Sequence, residues 1–111
     1  VRDTLEYINK GYSIALMIDQ RVSEGEMINF FNKAALTTTL PAQLSIRYKI
    51  PIVPVFIKRI NDKFFELNFL EEIKPEENKD KFELTKKLNL ILEEMIKNHP
   101  YQWIWTHNRW K

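Results

Sequence analysis

No cysteine occurs among the 111 residues, so the chain holds no disulfide, no thiolate nucleophile and no Cys-based zinc site. That absence also fits a reducing compartment. Glycine is nearly absent too, with Gly11 and Gly25 the only two. A dinucleotide fingerprint or a phosphate loop cannot be assembled from them. No Gly-x-Ser-x-Gly elbow is present, which excludes the serine hydrolases built on that turn. The longest apolar run, Ile50 to Ile57, is interrupted by Pro51 and Pro54 and falls far short of the roughly 18 residues a membrane-spanning helix requires. No signal-peptide pattern opens these residues. Charge of one sign is also lacking: 17 Lys and Arg against 15 Asp and Glu leave a net +2. Such a balance does not demand a nucleic acid, although it is compatible with an anionic surface.

What is present describes a globular chain. Hydrophobic residues make up 44%, an ordinary share, and the length suits one domain or a piece of one. Val1 to Lys10 reads as the end of an amphipathic helix with Gly11 as its stop. Ser13 to Asp19 is a continuous apolar run ending in an acid, the pattern of a strand buried on both faces. Gln20 to Glu26 is polar and reads as a loop, and Met27 to Phe31 as a short strand. Thr39 to Tyr48 fits a helix with Pro41 in its first turn. Ile52 to Lys58 reads as a second apolar strand, which predicts a right-handed βαβ crossover with the first. Pro54 within it implies an edge, a bulge or a break.

Phe64 to Phe69 alternates as a half-covered strand does. Lys74 to Asn78 reads as a polar linker, and the strongest helical pattern follows, through Leu84, Leu88, Ile91, Leu92, Met95 and Ile96. Asp80 is its expected cap, with Glu83 returning to the cap's own N–H, and Pro100 ends it. The sum predicts an α/β layered sheet lacking its first strands.

Three stretches stand out: Met17-Ile18-Asp19-Gln20-Arg21, then Phe30-Phe31-Asn32-Lys33-Ala34-Ala35-Leu36-Thr37-Thr38, then Trp103-Ile104-Trp105-Thr106-His107-Asn108-Arg109-Trp110. In this order and spacing the chain, from about Arg2 to Lys111, resembles the bacterial lipid A late acyltransferases (lauroyl and myristoyl transferases). These belong to the wider lysophospholipid acyltransferase group. Two departures from the family pattern are Asn32, where Gly usually follows the two Phe, and Tyr101, where Glu is typical. Asn tolerates positive φ better than most residues, so a tight turn at Asn32 is the expectation.

The resemblance implies a layered αβα sheet of the glycerolipid acyltransferase type, incomplete at its N-terminal side. It implies a parent activity that moves a fatty acyl group from acyl carrier protein, or coenzyme A, to a lipid A precursor. The expected location is the cytoplasmic face of the inner membrane, with any anchor outside this chain and no metal or cofactor required. The family's hallmark is His, four residues, then Asp or Glu. Neither His99 nor His107 has an acid five positions on, and the chain opens at Val1. The expectation is therefore that residues 1–111 are the C-terminal part of a single acyltransferase domain, with no catalytic residue of their own. The rival readings are a non-catalytic remnant that binds lipid or a partner, and a small basic-aromatic nucleic-acid binder.

Eight side chains are candidates for substrate binding. Asp19 and Arg21 sit where an apolar run emerges into a loop, the usual binding side of an open α/β sheet. Arg21 would meet a phosphate or the developing oxyanion while Asp19 positions it; otherwise Asp19 caps local N–H groups and Arg21 is solvated. Phe30 and Phe31 would line an acyl groove, and Thr37 and Thr38 would donate hydroxyls near the reacting carbonyl. The plainer alternative is core aromatics and a helix cap. In the tail, His107 and Arg109 lie near the site, or the three Trp form a clasp with Arg109 stacked on an indole. A membrane interface would also suit these indoles. His99 beside Pro100 reads as a helix-end residue favoured by the dipole. Arg59 faces the same pocket or is solvated at a strand end.

Overall fold

The computed structural model describes residues 2–75 and 80–110. It is a mixed α/β fold of three helices and two separate antiparallel hairpins. Helix α1 (Arg2–Asn9) ends at Gly11, whose φ of 83° is open to glycine. Strands β1 (Glu26–Phe30) and β2 (Lys33–Thr37) pair from Glu26 opposite Thr37 to Phe30 opposite Lys33. The two-residue loop between them has φ of 49° at Phe31 and 58° at Asn32. Both central residues are left-handed, as a type I′ hairpin turn requires, so the tolerance expected of Asn32 is used.

Helix α2 (Leu40–Tyr48) has Pro41 in its first turn and ends on Lys49 in the left-handed region. Strands β3 (Val55–Arg59) and β4 (Phe65–Phe69) form the second hairpin. Helix α3 (Lys81–Asn98) starts on Asp80, whose carboxylate accepts the N–H groups of Phe82 at 2.8 Å and Glu83 at 2.9 Å. The cap is one-sided, since Glu83 makes no return bond to the Asp80 N–H. A 3₁₀ turn at Pro100–Gln102 leads into the tail. Of the linker expected over Lys74 to Asn78, the part beyond Pro75 lies outside the described residues.

Two expectations are corrected. Ser13 to Asp19 is not part of any strand among the described residues. Ile18 is half-buried against the core, whereas Leu16 and Met17 are exposed, so no residue of the run is fully buried. Nor does β3 join a parallel βαβ unit: it pairs antiparallel with β4. Pro54 breaks the apolar run, because Ile52 forms an isolated bridge with Ile73 and β3 begins only at Val55. The free edge of β3 is occupied by a side chain: Gln102 accepts the Arg59 N–H at 3.0 Å and donates to the Ile57 carbonyl at 3.1 Å. Those are groups a neighbouring strand would need, and among the described residues the sheets are the two separate hairpins, with no parallel pairing.

Helix α3 organises two apolar clusters. Its first half packs Leu84 and Leu88 on Ala42 of α2 and on Ile73, with Ile18, Ile46 and Ile52 around them. Its second half brings Ile96 against Phe30 and Ala35 of the first hairpin, with Leu92, Trp103 and Trp110 closing over them.

Candidate functional site

The first hairpin is short and edge-exposed, and a two-stranded sheet of this size is marginal alone. The C-terminal tail supplies what it lacks. The Trp110 indole N–H donates to the Phe30 carbonyl at 3.0 Å, and its ring stacks on Phe30 at 5.5 Å and 25°. Trp103 closes the other approach at 5.9 Å. Phe30 is therefore fully buried, while Phe31 beside it remains half-exposed. Of the two aromatics, only Phe31 is placed to meet a ligand.

Arg109 is also fully buried. Its guanidinium donates to the Leu36 carbonyl at 2.6 Å and to the Thr37 hydroxyl at 2.8 Å, and it lies 5.1 Å over the Phe30 ring. The expected stacking on an indole is corrected: the aromatic beneath the cation is Phe30, because Trp110 occupies its own place on that ring. Burial pushes the Arg109 pKa down, and the nearby Asp19 carboxylate opposes that shift. The Thr37 hydroxyl donates to the Ala35 carbonyl at 3.0 Å, so it is committed both as donor and as acceptor. Gly25 closes against the same strand, since a Cβ there would stand 2.8 Å from the Thr37 backbone N and O.

The Asp19–Arg21 loop reaches this clasp from outside. The Arg21 N–H donates to His107 Nε2 at 3.2 Å, which joins two of the three noted stretches. Arg21 and His107 are exposed and Asp19 is half-buried. Thr38 stands at the entrance of α2, where its hydroxyl accepts the Leu40 N–H at 3.3 Å, and Gln43 bonds Thr39 at 2.7 Å. The eight candidates thus sort into a buried frame of Phe30, Thr37 and Arg109 and an accessible rim of Asp19, Arg21, Phe31, Thr38 and His107.

Other sequence features fall outside this cluster. His99 caps the end of α3, its N–H donating to the Met95 and Ile96 carbonyls, and its ring meets Phe56 at 4.8 Å. Arg59 is exposed over the Phe65 ring at 5.3 Å. A groove of about 520 Å³ runs between the inner side of the second hairpin and α3, past Phe56, Lys58, Ile91, Met95 and His99. None of the eight candidates lines it. Among the described residues no group of three His, Cys, Asp or Glu could hold a metal ion, and no helix is long and apolar enough to cross a membrane.

Two residues that touch this region escaped the sequence pattern. Glu93 on α3 is only 9% exposed and accepts the Phe31 N–H at 2.7 Å. Asn89, one turn earlier, is fully buried and donates to the Asn29 carbonyl at 3.0 Å. Their signal was spacing: Thr85, Asn89 and Glu93 recur every four residues beside the row Leu84, Leu88 and Leu92, which places a polar row at the edge of the apolar face.

The chain matches the model of a protein family over residues 1–111, its whole length. That family is the bacterial lipid A biosynthesis acyltransferases, and the chain belongs to it. No curated protein matches the chain.

Proposed function

We propose that this chain forms the substrate-binding portion of an acyltransferase that moves a fatty acyl group onto a hydroxyl of a lipid A precursor. The donor is an acyl carrier protein or coenzyme A thioester, and the work is done at the cytoplasmic face of the inner membrane. Family membership supplies the reaction class. The observation that supports a site within these residues is the Arg21–His107 contact, which brings the loop after Asp19 to the tail and the Phe30–Thr38 hairpin.

Acyl transfer to a hydroxyl needs a general base, stabilisation of the tetrahedral oxyanion, and a place for the acyl chain. Arg21 is an exposed cation beside this clasp, suited to the phosphate of an acceptor or to the developing oxyanion. Phe31 offers an apolar face to the acyl chain. Phe30, Thr37 and Arg109 act through the geometry they impose, since Arg109 Nη1 and Nη2, the Thr37 hydroxyl and the Phe30 ring are already engaged inside the clasp. The general base is not among these residues, because no His is followed five positions later by an acid.

Two measurements test this. Purified residues 1–111, given acyl donor and lipid acceptor, should show no turnover above a no-protein control. In a parent enzyme carrying the dyad, Arg21→Ala should lower turnover tenfold or more, about 1.4 kcal/mol of transition-state stabilisation, with an unchanged thermal midpoint. Full activity in that variant would return Arg21 to a solvated surface role. The missing dyad favours one second reading, a non-catalytic lipid- or partner-binding remnant. A parent that binds acceptor but never turns over, whatever residue 21 is, would select it.

A further inference from the structure

The turn at Phe31–Asn32 is an unfavourable one for its sequence. Positive φ is uncommon outside glycine and is a marked departure for a bulky residue, yet Phe31 stands at 49°. Strained positions of this kind persist only where surrounding groups over-determine them. Here the surroundings are explicit. The Asn29 carbonyl is held by Asn89 at 3.0 Å, the Phe30 carbonyl by the Trp110 indole at 3.0 Å, and the Phe31 N–H by Glu93 at 2.7 Å. Three successive residues leading into the turn are each fixed by a side chain from α3 or the tail.

The α3 side chains are costly ones to bury. A carboxylate or amide removed from water must be compensated, and Asn89 Oδ1 is buried without a partner among the described residues. The Asn89 amide is therefore only half satisfied by the bond it makes. Asn89 bonds the free edge of β1 at Asn29 and Glu93 bonds the turn just beyond it at Phe31, where an exposed strand end would otherwise offer its N–H and C=O groups to another chain. Farther along the same seam Lys81 meets Glu26 at 3.1 Å. Helix α3 thus runs along β1 in register, and its last contact before the chain reverses is the Glu93 carboxylate on Phe31.

We propose that Glu93, with Asn89 one turn behind it, is a positioning residue that pins the Phe31–Asn32 turn and so sets the angle at which the Phe31 ring meets an acyl chain. The acyl contact rests on the function proposed above; the pin itself does not. Phe31 N–H is bonded to Glu93 rather than to the backbone, so its protection from exchange reports directly on that one oxygen. The substitution Glu93→Gln keeps an oxygen acceptor of the same reach, whereas Glu93→Ala removes it.

The test uses the whole 111-residue chain, with amide hydrogen exchange and titration of a fluorescent fatty acid, cis-parinaric acid. In Glu93→Ala the Phe31 amide should exchange at least tenfold faster, while Leu88 in α3 keeps its protection, and parinaric acid should bind at least tenfold more weakly. Glu93→Gln should stay within threefold of the parent chain on both readouts. Should Glu93→Ala fail to fold, the Glu93→Gln chain decides alone: retained Phe31 protection supports the pin, and lost protection in a folded chain overturns it. Equal exposure of Phe31 in both variants, or no change in either, also overturns it. Faster Phe31 exchange in Glu93→Ala alone, with no parinaric acid binding by any chain, supports the pin and overturns the acyl-groove reading on which its consequence rests.

Discussion

Replacing Arg109 by Met tests whether the buried clasp stabilises the fold or merely tolerates a charge. Two hydrogen bonds from the guanidinium, to Leu36 O and Thr37 Oγ1, are worth about 1.5–3 kcal/mol each because the donor is charged. The Phe30 ring beneath it adds on the order of 2 kcal/mol when water is excluded. Against them stands the desolvation of a fully buried cation, several kcal/mol. These terms nearly cancel, so the sign is set by what the substitution leaves behind. Met retains the apolar contact with Phe30 but strands the Leu36 carbonyl, which costs about 1–3 kcal/mol. Thr37 still has the Ala35 carbonyl and adds little. The expected loss is about 2 kcal/mol for Arg109→Met, and roughly 3–4 kcal/mol for Arg109→Ala, which also opens a cavity. Urea unfolding followed by circular dichroism should show the shift in midpoint with an unchanged slope. Heating should lower the thermal midpoint by roughly 10 °C for Met. A double-mutant cycle with Thr37→Val should give a coupling of about 1 kcal/mol or more. A Met variant as stable as the parent chain would refute the reasoning, since desolvation would then outweigh everything the guanidinium contributes.

Three further outcomes follow from the same geometry. Gly25→Ala places a Cβ 2.8 Å from the Thr37 backbone, which cannot move as a side-chain tip can; denaturant unfolding should show a loss of about 1–3 kcal/mol. At Asn32, with φ of 58°, Gly should be neutral or stabilising by up to about 1 kcal/mol, whereas Val should cost roughly 1–2 kcal/mol, and equal stabilities would remove the turn argument. On the second hairpin Val55, Ile57, Phe65, Leu67 and Phe69 are all more than 40% exposed on one face, a patch of the kind monomers seldom leave bare. Sedimentation should show association that grows with concentration and that Phe69→Lys reverses, while a monomer at every concentration would count against it.

How much of this was legible beforehand depended on the range of the information. The three helices, β4, the Asp80 cap and the tolerance of Asn32 for a tight turn are set by residues within a few positions of one another, and periodicity or cap chemistry reveals them. Strand β2, Lys-Ala-Ala-Leu-Thr, has neither β-branched enrichment nor clean alternation, so its strand character comes from its partner β1 rather than from itself. The apolar run at Ser13 to Asp19 signalled burial, yet a run of that kind does not say which edge it meets, and here Gln102 engages part of the β3 edge. At the candidate site, the resemblance drew attention to three stretches, and the fold brings them into contact. The sequence could not divide them into frame and rim. Arg21 and Arg109 are the same residue type two residues from Asp19 and His107 respectively, and only the tertiary contacts bury one and expose the other.

That division follows from how the C-terminal third treats strand edges. Asn89 and Glu93 cover β1, Arg109 holds the end of β2, and Gln102 supplies the carboxamide that completes part of the edge of β3. Trp103 and Trp110 seal the first hairpin, while Trp105 remains exposed. Polar and aromatic residues crowded into residues 89–110 therefore do structural work at two sheets that are too small to stand alone. The Asp19–Arg21 loop is attached differently. Its bond to His107 is exposed, single and made through a backbone N–H, so it resists little against water. On the function proposed above, a hairpin fixed on several sides beside a loop held to the tail by one exposed hydrogen bond would let the loop adjust to an arriving anion while Phe31 keeps its place.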